Sequence, residues 1–238
     1  MIKADVVPPH VRYKWSVTIA LETLIAKAQT EGWASAQGSL DQVQAGAGLL
    51  GLTQVPIRRG GPAVVTLRPQ ERGDAPPNSL SALYGTGEQP LHTDGAHLEQ
   101  PPDLLFLACQ GTSTTPTRLW RAAGREPGKL ARRPEYLKHG IFLVHGGGGE
   151  ESFFSPAAYA TVRFRYDPGC MTPCDARARQ VVQYVERALK RAVEHAWNRP
   201  GTVLVIDNRR VLHARASAAD EPEREIQRIA YRLKEETS

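Results

Sequence analysis

The most informative stretch for the fold runs from residue 202 to residue 215 and reads Thr202-Val203-Leu204-Val205-Ile206-Asp207-Asn208-Arg209-Arg210-Val211-Leu212-His213-Ala214-Arg215. Its first five residues are apolar or β-branched, a composition that predicts a buried strand. The polar run that follows predicts a turn. His213 therefore stands directly after a buried strand and a turn, on a further extended segment.

Other segments of strand length are spread over the chain, and two stretches show helical periodicity. We predict strands within residues 63–67, 103–109, 117–120, 161–166 and 226–232. We predict helices over residues 17–28, ending at Gly32, and over residues 181–197, capped by Asp175 and stopped by Pro200, with a shorter one within residues 40–54. Residues 70–89 and 145–152 are predicted loops. This order favours a mainly β fold, a β-sandwich or jelly roll with flanking helices.

The composition is that of one globular domain covering residues 1–238, with 41% hydrophobic and 23% charged residues. No window approaches the roughly 20 apolar residues of a membrane span, and the first residues lack a signal-peptide pattern. Three cysteines, an odd number, suggest reduced thiols in a cytoplasmic protein. The net charge is +5, but the basic residues are scattered, so neither a nucleic-acid nor a membrane partner is expected, and the oligomeric state stays open.

The segment that carries chemistry is Pro90-Leu91-His92-Thr93-Asp94-Gly95-Ala96. On a strand, positions i and i+2 point to the same face, so His92 and Asp94 would present an imidazole and a carboxylate together. His-x-Asp alone is a weak signal, because most such pairs are simply hydrogen-bonded. With His213, however, it supplies the two histidines and one carboxylate that bind Fe(II) in non-haem oxygenases and leave open coordination positions.

Two arginines and a hydroxyl accompany these three residues. Arg228 and Arg232 lie on the last predicted strand, and Thr117 lies on an earlier one. An arginine can hold a carboxylate through two parallel hydrogen bonds, and an inward-facing arginine in an apolar barrel implies an anionic partner. Arg228 and Arg232 would both point inward, about 13 Å apart at ~3.3 Å per residue, and would therefore serve different anions.

The sequence resembles the Fe(II)/2-oxoglutarate-dependent dioxygenases of the taurine dioxygenase (TauD/TfdA-like) family. The likeness covers roughly residues 80–235, and its parts occur in the order that the family shows. The matching residues are His92-Thr93-Asp94, Asp207-Asn208-Arg209 leading to His213, Gln227-Arg228-Ile229-Ala230-Tyr231-Arg232, and residues 163–173 followed by a helix. Where the family has a Gly-rich turn with an acidic residue before its threonine, this chain has Thr114-Thr115-Pro116.

The resemblance implies a double-stranded β-helix, a jelly-roll or cupin-like fold, with a catalytic centre in which His92, Asp94 and His213 ligate Fe(II). Thr117 and Arg228 would hold the distal carboxylate of the co-substrate 2-oxoglutarate, and Arg232 would meet an anionic group of the substrate. The implied reaction consumes O2, releases succinate and CO2, and hydroxylates a small, acidic or amino-acid-like molecule. Asp94 argues against halogenation, because related halogenases have a small residue there.

Two alternative functions stay open at this point. The same cofactors support desaturation, cyclisation or epimerisation, and substrate position decides among them. A non-catalytic jelly-roll binding protein is the other alternative. Among the remaining polar residues, His97 is expected to face away from the site, while Arg215 would share the face of His213 in either a substrate-contacting or a structural role.

Overall fold

The computed structural model describes residues 9–58, 60–76, 79–122, 134–147, 151–160 and 163–234, which form antiparallel β-sheets with flanking helices. The helices are α1 (Pro9–Glu31), α2 (Leu40–Leu49), α3 (Leu80–Tyr84), α4 (Glu135–His139) and α5 (Ala176–Leu189). The strands are β1 (Trp33–Gln37), β2 (Thr53–Gln54), β3 (Val65–Leu67), β4 (Leu104–Cys109), β5 (Ser113–Arg121), β6 (Ile141–Val144), β7 (Phe153–Pro156), β8 (Ala158–Tyr159), β9 (Arg163–Phe164), β10 (Met171–Pro173), β11 (Val193–Trp197), β12 (Thr202–Asp207), β13 (Val211–Arg215) and β14 (Ile226–Arg232).

The largest sheet has the strand order β1-β12-β4-β14-β2, with β3 also paired to β14. A second sheet, β11-β5-β13, carries His213 on its edge strand, and β10-β6-β7 forms a third. Every pairing between these strands is antiparallel. The prediction of a mainly β fold with flanking helices is thus confirmed for the described residues.

The continuous apolar run of β12 has a direct explanation, because both faces of its sheet are covered. Val203 and Val205 pack with α1 and α2 on one face. Leu204 and Ile206 pack on the other face against Leu119 of β5 and the fully buried Trp197 of β11. A strand enclosed on both sides needs apolar residues at every position, so it shows no alternation of apolar and polar residues.

The predicted helices agree with the structure in part. The first helix and the helix within residues 40–54 are present, and Asp175 caps α5 by accepting a hydrogen bond from the backbone N–H of Ala178. The predicted helix over residues 181–197 ends at Leu189, however, and β11 follows. The apolar residues of β11 continue the helical spacing of α5, but the segment pairs with β5 as a strand and only Trp197 of it is buried. The short helix α3 lies inside the predicted loop over residues 70–89.

Two glycine substitutions test how closely α4 approaches α5. A Cβ at Gly140, which follows α4, would lie 2.5 Å from the backbone nitrogen of Ala178 in α5, whereas one at Gly48 of α2 would meet nothing within 4 Å. We expect Gly140→Ala to destabilise the protein by about 1–3 kcal/mol and Gly48→Ala to stabilise it by ~0.5–1 kcal/mol. Urea unfolding of the metal-free variants measures both. An equal effect of the two substitutions would contradict the close approach of α4 and α5.

None of the helices in the described part of the chain combines the length and the apolar character needed to span a lipid bilayer.

Candidate metal centre

The structure brings His92, Asp94 and His213 together. One nitrogen of each histidine and one carboxylate oxygen of Asp94 all lie within 4.8 Å of one another. The two imidazole rings are 4.3 Å apart between centroids, and all three residues are at most 9% exposed. The arrangement leaves a small space enclosed by two nitrogens and one oxygen, a donor set that suits a divalent transition metal.

His92 and His213 are held by a direct backbone pairing. The N–H of His92 donates to the carbonyl of His213 at 2.9 Å, and the N–H of His213 donates to the carbonyl of His92 at 3.0 Å. His92 forms only this isolated bridge and belongs to no regular strand. Its Nδ1 lies 3.1 Å from the carbonyl oxygen of Pro90, so that a proton on Nδ1 leaves Nε2 free to bind a metal.

Asp94 reaches the site from a turn, not from the strand that the sequence pattern predicts. The turn continues through Gly95, whose φ of +69° favours glycine and whose position leaves no room for a side chain, because a Cβ would lie 2.9 Å from Cδ of Pro102. The spacing of His92 and Asp94 therefore brings the two side chains together, but by a sharp turn instead of strand alternation.

The charges around the cluster favour an ionised carboxylate and a neutral imidazole. One terminal nitrogen of Arg228 lies 3.0 and 3.2 Å from the two oxygens of Asp94. Burial alone would raise the pKa of Asp94, but the charges of Arg228 and the neighbouring histidines lower it below its usual value. Burial lowers the pKa of His213 to about 3, with a further contribution from His92. Both groups therefore have the protonation state that metal binding requires at neutral pH.

A cavity of about 560 Å³ opens beside the three residues. It is large enough for a small organic acid together with a second small molecule. The polar and charged side chains around it include Thr117, His97, Asp167, Arg215, Arg224 and Arg228. The prediction that His97 faces away from the site is wrong, because the turn after Asp94 directs it into the cavity.

Arg224, like Asp167, is a cavity residue to which the sequence interpretation gave no role. It is 7% exposed, and its Nε donates to Oγ of Ser113 at 3.1 Å. Burial, together with the charge of Arg215, lowers its pKa to about 10, so it stays cationic at neutral pH. The available signal was the series Arg224, Arg228 and Arg232, one arginine in every fourth position. The predicted strand began at residue 226, so it contained Arg228 and Arg232 but not Arg224.

Thr117 stands in the cavity with its hydroxyl oriented by a buried partner. The indole N–H of Trp197, which can only donate, lies 3.0 Å from Oγ1 of Thr117. The threonine oxygen accepts that bond, and its own proton remains available for an acceptor in the cavity. Thr117 and Ser113 lie on the same buried face of β5, the face from which Ser113 contacts Arg224.

Arg232 lies apart from these residues. It does not line the cavity, and its terminal nitrogen donates to the carbonyl of Gln100 at 2.7 Å near the end of β14. The substrate contact that the resemblance implies for Arg232 stays a prediction. Arg215 does line the cavity, and one of its terminal nitrogens donates to the carbonyls of Gly85 and Gly87.

The chain is similar in sequence to one known protein family. The model of the family described as "Taurine catabolism dioxygenase TauD, TfdA family" matches residues 111–230, half of the chain. The chain belongs to this family. The segment matched to the TauD, TfdA family contains Thr117, His213, Arg224 and Arg228, whereas His92 and Asp94 precede it.

Two solved structures have folds similar to that of this chain. A structure of asparagine oxygenase in complex with Fe(II), 2S,3S-3-hydroxyasparagine and succinate has a TM-score of 0.69 and 17% sequence identity, covering 92% of this chain and 79% of that chain. The non-heme iron oxygenase OrfP in complex with Fe and alpha-ketoglutaric acid has a TM-score of 0.67 and 16% identity, covering 92% and 80%. The search of curated proteins gives no match.

Proposed function

We propose that the protein is an Fe(II)- and 2-oxoglutarate-dependent oxygenase that hydroxylates a small, amino-acid-like molecule. The observation that carries the proposal is the cluster of His92, Asp94 and His213, whose donor atoms lie within 4.8 Å of one another at the edge of a cavity. The dioxygenase family and the iron-containing neighbours support it. We also propose that residues 1–238 form one domain with the double-stranded β-helix arrangement.

The cluster fits Fe(II) by its chemistry. Two imidazoles and one carboxylate on one side of the ion leave the opposite side for other ligands. The neutral His213 and the ionised Asp94 need lose no proton to bind the metal. When bound, iron and 2-oxoglutarate supply activation of O2 with release of succinate and CO2. The chain's part is to hold the metal, orient the two organic molecules and limit the access of water.

The co-substrate needs cationic partners, and the cavity provides them. We propose that Arg224 and Thr117 hold the distal carboxylate of 2-oxoglutarate. Within the described residues, the terminal nitrogens of Arg224 have no protein acceptor, and the hydroxyl proton of Thr117 is available. The sequence favoured Arg228 in this role, but its contact with both oxygens of Asp94 supports a different role beside the proposed metal ligands. We propose that Arg228 instead balances charge next to the metal.

Asp167 favours a substrate that carries an N–H donor. Its carboxylate lines the cavity and accepts a hydrogen bond from the N–H of Gly169 at 2.7 Å, but no cationic side chain of the described residues is ion-paired with it. Burial raises the pKa of Asp167. A substrate amine, amide or guanidinium would supply the missing partner. The hydroxyasparagine and hydroxyarginine held by the solved neighbours carry such groups.

Succinate release tests the proposed function. The protein is reconstituted with Fe(II) and 2-oxoglutarate without oxygen and then exposed to air with single amino acids. We expect asparagine, glutamine, arginine or lysine to stimulate succinate release above the rate without substrate, and a hydroxylated product to appear in mass spectra. Failure of the wild-type protein to bind Fe(II), or to consume 2-oxoglutarate under any condition, would contradict the function.

Asp167→Asn is expected to raise the KM for the amino acid that stimulates turnover by about tenfold or more, because a charge-assisted hydrogen bond becomes a neutral one. The affinities for Fe(II) and 2-oxoglutarate should stay within about twofold of wild type, since Asp167 contacts neither in our proposal. The exposed Asp220 offers a matched control, and Asp220→Asn should change nothing. Equal stimulation of wild type by aspartate or glutamate, which have no N–H donor in the side chain, would argue against recognition of the substrate's side chain by Asp167.

A further inference from the structure

Asp94 differs from the two histidines in how its backbone is held. His92 and His213 are paired with each other through two backbone hydrogen bonds, whereas Asp94 lies in a turn outside any strand. A buried peptide N–H or C=O without a partner costs free energy comparable to a lost hydrogen bond. The backbone of Asp94, which is 5% exposed, therefore needs partners that no sheet provides.

The side chain of Asn208 supplies both partners. Its Oδ1 accepts a hydrogen bond from the N–H of Asp94 at 3.1 Å, and its Nδ2 donates to the carbonyl of Asp94 at 3.0 Å. The second proton of Nδ2 goes to the carbonyl of Pro102 at 2.9 Å. The side chain of Asn208 thus fixes the backbone of Asp94 at the start of the turn. It also links Asp94 to Pro102, which lies near the start of β4. Aspartate lacks the donors for this pattern, and glutamine adds a methylene to the side chain.

Asn208 is itself held rigidly. It is 1% exposed, and its backbone N–H donates to the carbonyl of Asp103 at 2.9 Å, continuing the pairing of β12 with β4 by one residue. The preceding Asp207 is fully buried and accepts two hydrogen bonds from the side chain of Arg209, at 2.8 and 3.0 Å. Asn208, which holds the backbone of Asp94, is therefore an extension of the largest sheet. The turn after β12 that contains Asn208 leads directly into β13 and His213.

We infer that Asn208 is a positioning residue that sets the direction of the Asp94 carboxylate by fixing its peptide from both sides. The inference rests on the proposed function, because it gives Asp94 a role as a metal ligand. Without Asn208, the Asp94 peptide would rotate and its carboxylate would have to be ordered at the moment of metal binding. Partners of metal ligands of this kind change metal affinity by about 10- to 100-fold.

The test compares Asn208→Ala and Asn208→Ser with Leu204→Ala. Leu204 is fully buried in β12 and belongs to the apolar cluster that contains Leu119 and Trp197, so its truncation reports the effect of a general loss of stability. Each variant is titrated with Co(II) alone at a temperature well below its own unfolding midpoint. We expect the Kd for Co(II) to rise at least about tenfold in both Asn208 variants. In Leu204→Ala, the Kd should stay within about twofold of wild type.

The outcomes separate this inference from the proposed function. If wild type binds Co(II) no better than Asp94→Ala does, the proposed metal site is wrong. If wild type binds Co(II) and a folded Asn208 variant binds it equally well, the positioning role is wrong and the metal site stands. Hydrogen exchange in the unaltered metal-free protein provides a measurement that no folding defect affects: the Asp94 amide should be protected, and rapid exchange would overturn the inference.

Discussion

Replacing Asp94 with alanine is expected to weaken Fe(II) binding by more than about 100-fold, since loss of a direct ligand should exceed the effect of losing an outer partner. His213→Ala should do the same. Turnover should fall below detection in both variants. The Asp94 variant also loses the ion-pair partner of the partly buried Arg228, so a moderate fall in thermal stability should accompany it. Anaerobic titration with Fe(II) measures binding, and circular dichroism establishes that the variants are folded.

His97 supplies the control for these two substitutions. It is a histidine that lines the same cavity but lies outside the cluster of His92, Asp94 and His213. His97→Ala should therefore bind Fe(II) with an affinity within about threefold of wild type. Retention of wild-type Fe(II) affinity by either ligand variant would remove that residue from the metal site, and loss of affinity in His97→Ala would show that the cluster is larger than three residues.

The second large effect is expected at Arg224. Removing one partner of a buried charge pair costs about 2–5 kcal/mol, so Arg224→Met should raise the Kd for 2-oxoglutarate at least about 30-fold. Arg228→Lys should have a smaller effect, because lysine keeps the charge next to Asp94 and loses only the planar fork. Arg232→Met should leave the Kd unchanged, since Arg232 lies outside the cavity. Anaerobic titration of the Fe(II)-loaded variants with 2-oxoglutarate gives all three values.

The three arginines thus distinguish two assignments of the co-substrate site. A larger effect of Arg228→Lys than of Arg224→Met would return the distal carboxylate to Arg228, as the sequence alone suggested. A rise in Kd for Arg232→Met would contradict the position of that residue in the structure. Unfolding midpoints accompany each titration, because Arg224 also donates to Ser113 and its loss is expected to lower stability.

Local sequence patterns correctly predicted the elements whose structure depends on neighbouring residues. The strands at β12 and β14, the capped start of α5 and the grouping of His92 with Asp94 are all properties of neighbouring residues. Residues 193–197 were predicted as helix because their apolar residues follow the helical spacing of α5. In the structure they form β11, which pairs with β5. Pairing with a distant strand decided the structure there, and no local pattern contains that information.

Some residues of the candidate site were also predictable from local motifs, whereas others depend on contacts between distant parts of the chain. Motif positions gave His92, Asp94 and His213, but which arginines enter the cavity depends on where β14 begins and how far it extends. Arg224 precedes that strand and Arg232 ends it, so a strand-based interpretation considered Arg228 and Arg232 and left out Arg224. The contact of Asn208 with Asp94 spans 114 residues, and it depends on a turn that brings the two together in space. Side-chain hydrogen bonds of that range leave no periodic trace in a sequence.

His92 and His213 pair through their backbones although they are far apart in sequence, and the strands from β4 to β12 all lie between them. During synthesis, the second histidine leaves the ribosome only after those strands have already been made. A partly synthesised or partly folded chain therefore lacks the backbone pairing of His92 with His213, so the cluster of donor atoms can assemble only after His213 has been made and has paired with its neighbours.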